Sequence, residues 1–95
     1  MSKIEQVLTS IEVAQMVGKD HKYLMRDIRN YSTEMTGAEI SPVEFWTEST
    51  YSDSKGQIRP CYSVTKKGCE FIAHKLTRKK GTVFTARYIN RFHEM

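Results

Sequence analysis

Ninety-five residues, 39% of them hydrophobic and 27% charged, suffice for one small core and are too few for two. No apolar run approaches the ~20 residues that span a bilayer and no signal-peptide pattern opens the chain, so the expectation is a single domain over residues 1–95, in the cytoplasm and away from membranes. A net charge of +4 and a pI near 9.2 tilt it towards polyanionic partners.

Residues 1–8 read as a flexible or strand-forming lead-in. Thr9, followed three residues later by Glu12, predicts a capping box that opens a short helix. Gly18 ends that helix, and Asp20 is placed to cap a second one running to about Tyr31. At roughly 100° per residue, Lys22, Arg26 and Arg29 share one face, within about 60° of each other. Leu24, Ile28 and Tyr31 lie opposite, at the spacing of a core-facing stripe. One side can pack while the other offers three cations, as a recognition helix in a DNA major groove requires. His21 and Tyr23 stand beside those cations, and Lys19 follows the turn glycine. The bland alternative is an amphipathic helical hairpin whose basic face is merely solvated.

Residues 32–41 show no clear period and read as a connection, closed by Pro42. Residues 45–51 (FWTESTY) and 58–64 (IRPCYSV) have strand composition, and the cluster SDSKGQ between them predicts a turn at Gly56. In the second strand Ile58, Pro60, Tyr62 and Val64 should face one way, and Pro60 should confine it to a sheet edge. The result is a β-hairpin with Lys55, Gln57 and Arg59 at its tip, either a DNA-contacting wing or a cap on the core.

Thr65 is placed to cap a third helix in which Cys69, Ile72, Ala73 and Leu76 share a face. Lys66 and Lys67 sit in its first turn, against the helix dipole, a weak pointer to phosphate contact. Residues 77–81 (TRKKG) read as a connector carrying Arg78, Lys79 and Lys80, before a last helix over about residues 82–94. There Phe84, Tyr88 and Phe92 form a stripe, either core or a homodimer interface, while Arg87 and Arg91 project from the polar side.

Charge is segregated. Glu34, Glu39, Glu44, Glu48 and Asp53 fall in a stretch without Lys or Arg, whereas from Lys55 onward Glu70 and Glu94 are the only acids among many cations. Cys61 and Cys69 lack C-x-x-C spacing and read as reduced thiols, so no metal or other cofactor is expected. Phosphate-binding glycine loops and a nucleophile elbow are both missing from the chain. The three histidines have no partner at a telling spacing, so nothing asks for an enzyme.

The segments T-S-x-E-V-A-x-M-V-G-K-x-H (residues 9–21) and R-D-I-R-N-Y (26–31) together resemble the Rha family of phage regulatory proteins. The resemblance continues through E-S-T-Y-x-D-S-x-G (48–56), P-C-Y-x-x-T-K-K-G-C-E (60–70), K-L-T (75–77) and K-G-x-x-F-T-A-x-Y-I-x-R-F-x-E-M (80–95). Arg78 stands where the family often has glycine, and His93 where it often has asparagine. The resemblance implies a temperate-phage or prophage protein that regulates gene expression. Its members are described as DNA-binding regulators, some with a second, antirepressor-like domain.

The expected fold is α+β, a winged helix-turn-helix-like domain of helical hairpin, β-hairpin wing and two C-terminal helices. The expected function is sequence-specific binding of double-stranded DNA as a transcriptional regulator, with homodimerisation. Lys22, Arg26 and Arg29, with His21 and Tyr23, would enter the major groove. Lys55, Gln57 and Arg59 would act from the wing, and Lys19, Lys66, Lys67, Arg78, Lys79 and Lys80 on phosphates. The alternative is an antirepressor that binds a phage repressor through the acidic segment and never touches DNA.

Overall fold

The computed structural model describes residues 6–95. Residues 1–5 of the expected lead-in lie outside the described residues, and its end forms a short strand, β1 (Val7–Thr9). Thr9 turns the chain into α1 (Ser10–Val17), its hydroxyl accepting the Glu12 amide at 3.1 Å. The Glu12 carboxylate does not return that bond, because it pairs with Arg91, 2.6 Å away. Gly18 closes α1 at φ 80°, in the left-handed region a glycine enters without strain.

The second helix, α2 (His21–Gly37), follows Asp20, whose backbone is extended but whose side chain makes no capping bond. It runs well past Tyr31, so most of the expected connection is helical. Two observations account for the extension. Met35 is buried and prolongs the stripe of Leu24, Ile28 and Tyr31 by another turn. The hydroxyls of Ser32 and Thr33 bond back to the carbonyls of Ile28 and Arg29, at 2.8 and 3.0 Å, so they do not compete with the helix. Ser32 also accepts the indole N–H of Trp46 at 2.8 Å.

A 3-10 turn (Pro42–Glu44) leads into β2 (Trp46–Ser52) and β3 (Ile58–Thr65). The sheet order is β1-β3-β2, antiparallel throughout. β3 is therefore the central strand, not the edge strand Pro60 led us to expect. The proline is tolerated because β1 pairs only Ser63, Val64 and Thr65. The Tyr62 amide points away from β2, to the Ser10 hydroxyl at 2.9 Å. With a period of two, Pro60 turns its nitrogen to that same side, beyond the reach of β1, and no ladder bond is lost. Burial grades along β3 instead of simply alternating: Ile58 is 70% exposed at the tip and Val64 fully buried at the base, while Cys61, assigned to the opposite face, is buried as well.

Thr65 joins β3 to α3 (Lys66–His74), its hydroxyl accepting the Gly68 amide at 3.0 Å and donating to the Glu44 carbonyl at 2.8 Å. The last helix, α4 (Arg78–Glu94), begins where a connector was expected. Gly81 does not break it: a Cβ there would lie 3.1 Å from the Ala73 carbonyl, so the glycine lets α4 start close against the end of α3. The stripe of Phe84 and Tyr88 is core, 0% and 3% exposed, with Phe92 half-buried behind it. That burial rules out the stripe as a dimer interface. Arg87 donates to the Met16 carbonyl at 2.7 Å and Arg91 pairs with Glu12, so the polar side of α4 clamps α1. At the far end, Gln6 donates to the Met95 carbonyl at 3.3 Å.

Candidate nucleic-acid interface

The outer face of α2 carries Lys22, Tyr23, Arg26 and Arg29, all exposed. Tyr23 is flanked by two cations, the Lys22 ammonium 5.0 Å and the Arg26 guanidinium 5.1 Å from its ring centroid. At about 0.5–1 kcal/mol each, such contacts pre-order exposed side chains without committing them. On the same helix the Asp27 carboxylate takes Lys19 at 2.7 Å and Arg26 at 3.3 Å. Burial opposes its charge, but the hydrogen bonds and charges of Lys19 and Arg26 prevail and hold its pKa below the ordinary carboxylate value. Pairs at this exposure are worth at most about 1 kcal/mol, so a phosphate can displace the carboxylate.

The tip of the β2–β3 hairpin is built around Asp53. One carboxylate oxygen accepts the amides of Lys55 and Gln57, both at 2.9 Å, and the other accepts Arg59 Nε at 2.9 Å. Arg59 also donates to Gln57 Oε1 at 3.1 Å, and Gly56 turns the chain at φ 78°. The Arg59 hydrogen bond first, and the Gln57 amide next, hold the Asp53 carboxyl below its ordinary value. Lys55 remains exposed at the apex.

An open groove of about 340 Å³ separates α2 from the hairpin, and Lys22, Arg29, Tyr51 and Arg59 line it. Two elements far apart in sequence thus turn their cations to one channel. Past Arg29 the channel continues into a hollow beside the middle of the hairpin that includes Glu48. His21 also lines the groove, but its ring is engaged inward: Nε2 lies 2.8 Å from the Ser10 hydroxyl, and Tyr51 meets the ring edge-on at 5.8 Å. Burial lowers its pKa below 6.5, so the ring is neutral at pH 7.

The remaining cations divide. Lys19 and Lys80 line a cleft at the α1–α2 turn, whereas Arg78 faces a different groove, between α3 and α4, and Lys79 lies exposed between them. The expected connector therefore does not act as one basic loop. Lys66 is exposed in the first turn of α3, and Lys67 beside it pairs with Glu44 of the 3-10 turn at 3.2 Å and covers the Phe45 ring at 5.2 Å. They line neither the groove nor the cleft.

A family description, phage regulatory protein Rha, matches residues 8–95. The chain belongs to the Rha family. A relative in Bacillus subtilis, named as a candidate antirepressor derived from the SPbeta prophage, is 44% identical over 94% of this chain and 36% of its own length. An uncharacterised protein of Haemophilus influenzae is 29% identical over 94% of this chain and 51% of its own. The Rha chain thus spans between a third and about half of these relatives. No solved structure matches it.

Four residues around the interface of this Rha chain escaped the sequence: Asp27, Asp53, Tyr51 and Lys75. Asp27 and Asp53 are the carboxylates that hold its interface cations in place. Alternation in FWTESTY could have pointed to Tyr51 as a groove wall, but Lys75 gave no signal, since only the packing of α3 on α2 places it in the cleft with Lys19. The thiols stand as expected, free, with Cys69 on the core side of α3: both are buried, and burial first, then Glu70 and Glu12, push Cys69 up to about 12.

Proposed function

We propose that this Rha chain is one winged helix-turn-helix module that binds double-stranded DNA as a transcriptional regulator of a temperate phage or prophage. The observation that carries it is the groove flanked by Lys22 and Arg29 of α2 and by Arg59 of the hairpin. The chain order also supports it: a lead strand, two helices and a hairpin whose second strand pairs with the first strand of the chain, as in winged helices. Lys22, Tyr23, Arg26 and Arg29 read the major groove, and Lys55, Gln57 and Arg59 reach the flanking backbone from the wing. His21 positions α2 against Tyr51 and Ser10 and leaves reading to its neighbours. A homodimer belongs to the proposal, since one module of this size covers little DNA.

The test is fluorescence anisotropy of the chain on fragments of its phage's regulatory region at several salt concentrations. Selective binding with a steep negative salt slope is expected. Arg26→Ala should cost about 1–3 kcal/mol and relax sequence preference, whereas Lys80→Ala should weaken all sequences alike and lower the slope by about one. Absence of binding at low salt overturns the proposal.

The name of the Bacillus relative favours a second reading, an antirepressor that holds a phage repressor through its acidic surface. Glu39 and Glu44 are exposed on the stretch joining α2 to β2. Charge decides between the two: Glu39→Gln with Glu44→Gln abolishes repressor capture in this second case, and Arg26→Glu with Arg29→Glu abolishes DNA binding in the first.

A further inference from the structure

The cleft at the α1–α2 turn is an open hollow of about 480 Å³ that the DNA-reading groove does not include. Three lysines line it from three separate elements: Lys19 from the turn, Lys75 from the end of α3 and Lys80 from the first turn of α4. Asp20 is the one carboxylate on its wall. Lys19 shares Asp27, but among the described residues neither Lys75 nor Lys80 has an ion pair. The Lys75 ammonium instead lies over the rings of Tyr31 and Phe71, 5.5 and 5.2 Å from their centroids, just outside the cleft wall. Exposed like charges repel only weakly through solvent, but an anion that joins three lysines gains from all of them at once. Tyr23 lines the same cleft and stands between Lys22 and Arg26, so the hollow adjoins the base-reading face of α2.

We propose that Lys19, Lys75 and Lys80 form a seat for one phosphate group, and that its source is the DNA backbone beside the groove that α2 reads. That source rests on the DNA-binding function proposed above; the seat itself rests on the lysines alone. The phosphate sets the register of α2 on the duplex and carries no sequence information. Lys75 is the decisive residue, because it lines the cleft with no carboxylate partner and a phosphate there would compete only with the weak hold of two rings on its ammonium.

The test uses the full chain with Lys75→Gln, Lys80→Gln and Lys75→Arg, each first shown to melt at the parent's temperature. Anisotropy is measured on operator and on unrelated duplex DNA between 50 and 200 mM salt. With a slope of about −0.9 per phosphate, losing one contact shrinks the parent's loss of affinity over this fourfold range by about 3.5-fold. That reduction is expected for Lys75→Gln and Lys80→Gln on both DNAs alike, and Lys75→Arg restores the parent slope. An unchanged slope in Lys75→Gln overturns the seat. A second arm titrates inorganic phosphate into the chain and follows the amide resonances of Lys19, Lys75 and Lys80. If the chain binds no DNA at any salt, the proposed function fails, and this arm alone decides the seat: saturable shifts lost in Lys75→Gln uphold a site for free phosphate, and flat titrations remove it.

Discussion

His21 shows how a single side chain links stability to pH. Its ring is neutral in the fold, bonded to the Ser10 hydroxyl at 2.8 Å, and burial keeps its pKa below the 6.5 of the unfolded chain. The fold is therefore fully stabilised above pH 6.5. Below that value the unfolded chain takes up a proton that the folded one refuses, and stability falls until the folded pKa is passed. Urea unfolding at pH 7.5 and pH 5 should show a lower midpoint at pH 5, and His21→Gln should flatten the difference. A different constraint acts at Gly68, where a Cβ would run into the Phe45 carbonyl and meet a Val64 methyl at 2.8 Å. Gly68→Ala should lower the unfolding free energy by about 1–3 kcal/mol, as overpacked sites do. Gly37→Ala is the control, with nothing within 4 Å of its Cβ, and should be neutral or slightly stabilising.

At the scale of elements, the β2–β3 hairpin owes its shape to one carboxylate. Asp53→Ala leaves the amides of Lys55 and Gln57 without their partner and frees Arg59. Amide exchange at Gln57 should therefore accelerate at least about fivefold, while exchange in the core of α2 stays at the parent rate; an equal rise in both would mean the hairpin does not open by itself. Sequence patterns reached this hairpin well, because alternation, Gly56 and the turn cluster are local signals. They reached α1 for the same reason, through Thr9 and Gly18. They failed where packing outvoted composition. Residues 32–41 lacked a clear period and looked like a connection, but the stretch to Gly37 lies within a helix held by Met35 and Trp46. Lys79, Lys80 and Gly81 looked like a loop, but they are helical because α4 must start against Ala73 to bring Phe84 under the core. The cations of α2 were visible as a face; that Arg59 shares their groove, and that Lys66 and Lys67 do not, depends on tertiary placement.

Across the whole molecule, charge and packing are arranged on different principles. The core runs through every α-helix and all three strands, from Leu8 to Tyr88, and depends little on ionic strength. The interface cations are held by single carboxylates at the surface, Asp27 and Asp53, and these pairs weaken as ionic strength rises. Salt should therefore move DNA affinity over orders of magnitude while leaving the thermal midpoint nearly unchanged, which a melting series at 50 and 500 mM checks. The clamp of α4 on α1 has a consequence for how the molecule is made. Glu12 meets Arg91, Met16 meets Arg87 and Gln6 meets Met95, so segments from the two ends of the chain are mutual neighbours. A nascent chain that has emerged only as far as α3 lacks Phe84 and Tyr88, two of the buried residues of the core, and the helix that packs on α1 and α3. Stable folding is therefore expected only once α4 has cleared the ribosome, and a chain truncated after α3 should show no cooperative melting transition.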